Sequence, residues 1–173
     1  VDMPVAINLS APSLNDEALP GTVLSALAKH GLPPAILTVE ITEDVLVSSV
    51  ARARSVLDEL RSSGVRVAID DFGSGYAAMT YLHEFPVDEL KLDRQFIGPI
   101  VHDERAASIV LSVVNLANEF GLTCVAEGVE DRATAELLRT YGCEFAQGRY
   151  CSKAVAADAI RHCCAPTDAT LSS

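Results

Sequence analysis

Val65-Arg66-Val67-Ala68-Ile69-Asp70-Asp71-Phe72-Gly73-Ser74-Gly75-Tyr76 is the stretch that decides the fold. Its first five residues are a short β-branched run, which reads as a buried parallel strand. Two adjacent carboxylates follow, and each repels the other while losing hydration. A divalent cation is the simplest compensation, because it inverts the local electrostatics. Gly73 and Gly75 then allow a sharp turn beside the pair. Read alone, the stretch also fits a polar strand end with ordinary Asp-Gly turn chemistry. The rest of the chain decides between these.

Working outward, further strands are predicted over 5–10, 36–41, 89–93, 122–127 and 143–147. Helical patterns lie between them. One runs from 13 to 30 and stops at Gly31, and one follows Thr42 and Glu43 to Leu60 before Gly64. Residues 77–82 make a short turn, Asp103 caps a helix to Phe120, and 134–141 and 155–162 complete the set. Strand, loop, helix and glycine repeat, which predicts a parallel sheet with helical crossovers.

Polar residues choose among parallel folds. Asn8, Glu40, Asp70 with Asp71, Lys91, Glu127 and Gln147 each fall at or near the C-terminal end of a different strand. In a β/α barrel those ends converge on one mouth, whereas an open sheet concentrates them at one switch point. The expected fold is therefore α/β, a TIM-like (β/α) barrel, here of about six strands and truncated at its N-terminus. Residues 1–164 form the domain, and 165–173 a polar tail read as disordered.

Composition narrows the function. The chain has 173 residues and a net charge of −11, with no basic patch for duplex nucleic acid. No apolar run reaches the length of a membrane span, and the start has no signal-peptide pattern. Val1 is not an initiator, so the chain is expected to begin inside a longer protein. The five cysteines lack Cys-x-x-Cys spacing. Cys124, Cys143 and Cys151 read as small buried residues of a reducing compartment, and the scattered histidines do not suggest zinc.

Glu40, Asp70, Asp71, Glu127 and the amide oxygen of Asn8 are hard oxygen donors, suited to magnesium or manganese. Four carboxylates can hold two ions, an arrangement that serves phosphate displacement. Lys91 is the only cation of the set. It could position or deprotonate water, or balance phosphate charge; the alternative is an ion pair with Asp93 or a neighbouring strand-end carboxylate.

Six stretches together resemble the EAL family of cyclic di-GMP phosphodiesterases. They are 5–10, Val39-Glu40-Ile41-Thr42-Glu43, 70–76, Leu90-Lys91-Leu92-Asp93-Arg94, Val125-Ala126-Glu127-Gly128-Val129-Glu130 and 142–148. The resemblance implies a cytoplasmic enzyme of bacterial second-messenger signalling that hydrolyses cyclic di-GMP to linear pGpG. It implies two Mg2+ or Mn2+ ions, with Asn8, Glu40 and Asp70 on one and Asp70, Asp71 and Glu127 on the other. Lys91 and Glu130 would be catalytic, Gln147 and Asp93 would contact substrate, and Glu43, Gly73 and Gly75 would support the glycine loop. Homodimerisation and fusion to upstream sensory or GGDEF-type domains follow from the same resemblance.

The chain also departs from the family pattern. The Glu-Ala-Leu sequence is absent, and six strands are found where a barrel has eight. Ala77 and Ala78 replace hydroxyl residues, Arg149 an aromatic and Ala154 a proline. The chain alone is accordingly expected to be poorly active, with open strand edges. The alternative function is an inactive EAL-like module that binds cyclic di-GMP or a partner protein.

Overall fold

The first five residues of strand β2 (Leu37–Thr42) are buried in succession. Such loss of alternation marks a parallel strand covered on both faces. The structure is a computed structural model and describes residues 3–42, 50–73, 82, 84–156, 159 and 160. Glu43, Gly75, all of the turn read over 77–82 except Leu82, Cys163, Cys164 and the tail lie outside the described residues.

The chain divides into two compact units, Val1–Leu90 and Lys91–Ser173. In the first, β1 (Val5–Asn8) runs parallel to β2, and β2 runs parallel to β3 (Arg66–Phe72). All four residues of β1 are exposed. Helices α1 (Ala11–Leu14) and α2 (Leu19–Lys29) pack against α3 (Val50–Ser62), which covers β3. Val39, Ile41, Leu57, Leu60, Val67 and Ile69 are fully buried and form the core of this unit.

The single helix expected over 13–30 is corrected to two. The Asn15 amide donates to Pro12 and Ser13 carbonyls, ending α1. The Asp16 carboxylate accepts from the Ala18 amide at 2.9 Å, a local side-chain bond that competes with helix. Gly31 does stop α2, with φ +65.

Strand β4 (Glu89–Leu92) crosses the boundary between the units. In the second unit, β5 (Thr123–Glu127) runs parallel to β6 (Phe145–Gln147). Helices α4 (Arg94–Ile97) and α5 (Glu104–Glu119) pack on β5, and α5 also meets α6 (Arg132–Tyr141). Ile97, Val110, Val114, Ala126 and Leu138 form the core of this unit.

β1 stops at Asn8, two residues short of the strand expected over 5–10, and β2 is shifted one residue from 36–41. β4, β5 and β6 also differ in their bounds, each because a helix cap takes the residue. Asp93 leaves β4 to cap α4, its carboxylate accepting from the Gln95 amide at 2.6 Å. The Leu122 amide closes the end of α5 on Ala117 O at 2.9 Å. The Cys143 amide bonds Leu138 O at 3.1 Å behind left-handed Gly142, so β6 starts two residues later than read. Cys124 and Cys143 are buried as expected, but Cys151 is exposed. It lies beyond the short strand, where its thiol donates to Ala146 O at 3.4 Å. Val155 and Ala156, read as the start of a last helix, are not helical.

Candidate active site

Register places the acidic residues of the first unit. Asn8 pairs with Glu40, and Glu40 with Ala68. Paired residues on parallel strands share a sheet face, and so does a residue two further on. Asn8, Glu40 and Asp70 therefore lie on one face. Glu40 is buried, with 7% of its surface exposed, whereas Asn8 is exposed and Asp70 half-buried.

Strand alternation would send Asp71 to the opposite face. Within β3, however, its φ is +54, the only positive φ at a non-glycine among the described residues. The left-handed turn brings a carboxylate oxygen of Asp71 within 4.8 Å of one of Asp70. Aspartate tolerates this conformation better than most residues. The Asp71 amide also donates to Asp70 Oδ1 at 3.1 Å. Gly73, with φ +100, continues the turn as expected. Strain held at two converging carboxylates is the sort that persists at functional sites.

In the second unit, Glu127 and Gln147 pair in register on β5 and β6 and share a face. Lys91 is 5% exposed. Its Nζ lies 2.6 Å from Glu127 Oε1, so the ion-pair reading of Lys91 holds for a strand-end carboxylate other than Asp93. Asp93 caps α4 instead.

Glu130 follows a pinned turn. The Val129 amide donates to Gln147 O and the Tyr150 amide to Val129 O, both at 3.0 Å. Glu130 is half-exposed and stands 3.9 Å from the guanidinium groups of both Arg94 and Arg149. Sequence reading missed this convergence. The one signal for it was Arg149 in a position where an aromatic is usual.

The donor set fits a hard divalent cation. Asp70 and Asp71 present paired carboxylate oxygens, buried Glu40 lies on the same sheet face as Asp70, and among the described residues no histidine joins the Asp70–Asp71 pair.

Comparison with known proteins identifies the class. The EAL domain family model matches residues 1–154, and the chain belongs to that family. The bifunctional diguanylate cyclase/cyclic di-GMP phosphodiesterase MucR of Pseudomonas aeruginosa is 40% identical over 147 residues, covering 85% of this chain and 22% of MucR. The structure of PaMucR phosphodiesterase in complex with c-di-GMP has a TM-score of 0.84 at 38% identity, covering 91% of this chain and 64% of that one. The EAL domain of Mycobacterium smegmatis DcpA gives 0.88 at 38% identity, covering 92% and 71%. A manganese/cy-diGMP complex of Klebsiella pneumoniae BlrP1 gives 0.79 at 35% identity, covering 84% and 37%. The chain spans about a fifth of the length of the curated relatives it matches. Its six strands are parallel strands of the α/β, TIM-like barrel fold of these EAL structures.

Proposed function

We propose that this chain supplies most of the catalytic domain of a metal-dependent phosphodiesterase that hydrolyses cyclic di-GMP to linear pGpG. The observation that carries the reading is the family match over 1–154 together with strand-end donors at Asn8, Glu40, Asp70, Asp71 and Glu127, the absent Glu-Ala-Leu position aside. Asn8, Glu40 and Asp70 would hold one Mg2+ or Mn2+ ion, and Asp70, Asp71 and Glu127 a second. Bound divalent cations would supply charge to the phosphate oxygens and lower the pKa of coordinated water.

The chain's own residues do the rest. Lys91 Nζ is held at Glu127, where it can donate to the attacking water and orient it. Glu130 would act beside it. Gln147 and Asp93 would contact substrate, Asp93 through a position fixed by its cap on α4. Gly73 would shape the loop after Asp71, with Glu43 and Gly75 supporting it.

The same reading makes 1–164 the catalytic domain and 165–173 a tail. It makes the parent a homodimer, and it makes it a fusion to an upstream sensory or GGDEF-type domain; MucR's two activities and the chain's small share of its relatives support the fusion alone. No helix among the described residues is long and apolar enough to cross a membrane. A cytoplasmic location, as part of a larger, membrane-attached protein or not, belongs to the proposal.

The test is chromatographic assay of cyclic di-GMP with magnesium or manganese, using the chain with its native upstream sequence. Metal-dependent appearance of pGpG is expected. Binding of the nucleotide with metal present but no cleavage would instead establish a receptor module.

A further inference from the structure

The start of α4 and the segments after β5 and β6 meet at one carboxylate of the second unit. Arg94 lies two residues past β4, Glu130 three past β5 and Arg149 two past β6. Arg94 Nη2 and Arg149 Nη1 each stand 3.9 Å from the same Glu130 oxygen.

The backbone under this triad is tightly fixed. A Cβ on Gly128 would collide with the Arg94 side chain, and one on Gly148 with the Val129 backbone, so only glycine permits these approaches. Arg94, Glu130 and Arg149 therefore rise from closely packed backbone. Their side chains are 74%, 49% and 75% exposed. At 3.9 Å neither contact is a hydrogen bond, and exposed ion pairs of this kind contribute little. Two guanidinium forks, sharing one carboxylate, keep donors for a ligand. Arg94 and Glu130 also line a cavity of about 120 Å³ with Gly98, Gly128, Asp131 and Thr134. That is room for several waters, each needing about 10–15 Å³.

We propose that Arg94 and Arg149 form a phosphate subsite at the strand ends of this unit, gripping a phosphate group of the bound nucleotide. The guanidinium fork matches phosphate oxygens in shape and charge. The site also has an electrostatic logic. Among the strand-end residues, carboxylates dominate and Lys91 is committed to Glu127. An anionic dinucleotide needs cations it can reach, and these two arginines are exposed. The choice of nucleotide rests on the function proposed above; the choice of phosphate does not.

The experiment follows the side-chain Nε resonances of Arg94 and Arg149 by NMR. The chain with its native upstream sequence is titrated separately with cyclic di-GMP, in calcium to bind without turnover, and with inorganic phosphate. Calorimetry of Arg149→Ala and Arg149→Lys runs in parallel. Both ligands should shift both resonances. Arg149→Ala should weaken cyclic di-GMP about tenfold, as expected for a lost charged hydrogen bond, with Lys intermediate. Phosphate shifts without any cyclic di-GMP binding would support the subsite and refute the proposed function. Tight cyclic di-GMP binding with unmoved arginines and unchanged Arg149→Ala affinity would overturn the subsite alone. A response to cyclic di-GMP but none to inorganic phosphate would also overturn it, pointing to base contact.

Discussion

Lys91 Nζ lies 2.6 Å from Glu127 Oε1, with the two side chains only 7% and 22% exposed. Each is the other's compensation for leaving water. A buried pair of this kind adds little net stability, yet removing one partner alone is costly.

Lys91→Met keeps most of the apolar stem and removes the ammonium. In chelator it should lower unfolding free energy by about 3 kcal/mol, because Glu127 loses a buried cation partner. If Glu127 ligates a metal, manganese should recover part of that loss, since an ion replaces the missing charge. Hydrolysis should stay low even when stability returns. Urea melts with and without manganese, beside the activity assay, check both parts. An identical loss under both conditions would remove Glu127 from the metal site.

Asp71 separates backbone from charge. Its φ of +54 costs a β-branched residue most and glycine nothing. Asp71→Val should therefore destabilise by about 1–3 kcal/mol. Asp71→Gly should fold as well as wild type or better, because repulsion with Asp70 is also relieved. Both variants should bind manganese more weakly. Calorimetric titration beside thermal melts would show it; full manganese affinity in Asp71→Gly would mean that the carboxylate is not a ligand.

Gly128 and Gly121 share a backbone conformation, φ +69 and +67, but not an environment. A Cβ at 121 meets nothing within 4 Å, whereas one at 128 runs into Arg94. Gly121→Ala should cost about 1 kcal/mol, the left-handed penalty alone. Gly128→Ala should cost about 1–3 kcal/mol more through overpacking. Denaturant midpoints of the pair isolate the packing contribution. Equal costs would mean that the loop beneath Glu130 yields readily.

Much of this was legible in the sequence because local chemistry dictated it. The β-branched run before Asp70, the αL stop at Gly31 and the cap at Asp103 each follow from a residue's own preferences. The repeat of strand, loop, helix and glycine announces a parallel sheet, whereas Leu37-Thr38-Val39-Glu40-Ile41 alternates apolar and polar in sequence and only the fold buries all five. What was not legible depends on neighbours remote in sequence. Nothing near Asp71 says that its backbone turns left-handed within β3 and brings its carboxylate to Asp70. Lys91 could have chosen several carboxylates, and only strand placement selects Glu127. Cys151 is as apolar as Cys143, but a three-residue β6 ends before it and leaves it exposed. Glu130 reads as a motif residue, while its two arginines arrive from positions 36 residues before and 19 after it.

Asp131 gives the fold of the second unit an acid limit. It caps α6, its carboxylate accepting from the Thr134 amide at 2.8 Å and the Thr134 hydroxyl at 2.9 Å. These bonds, the amide first, hold its pKa below the ordinary aspartate value. A pKa lower in the folded state than in the unfolded chain means that the ionised cap stabilises the fold. That contribution is complete above the unfolded value of about 3.9 and disappears as pH falls through the folded one. Asp131→Asn keeps an oxygen acceptor for the cap but cannot ionise. Wild type should therefore be the more stable at neutral pH, and the two should converge in acid. Other carboxylates titrate in the same range, but they are common to both proteins and cancel in the difference. Urea midpoints measured for the pair from neutral pH to below about pH 3 follow that difference directly. A gap that persists unchanged into acid would show that the Asp131 charge contributes nothing to holding α6.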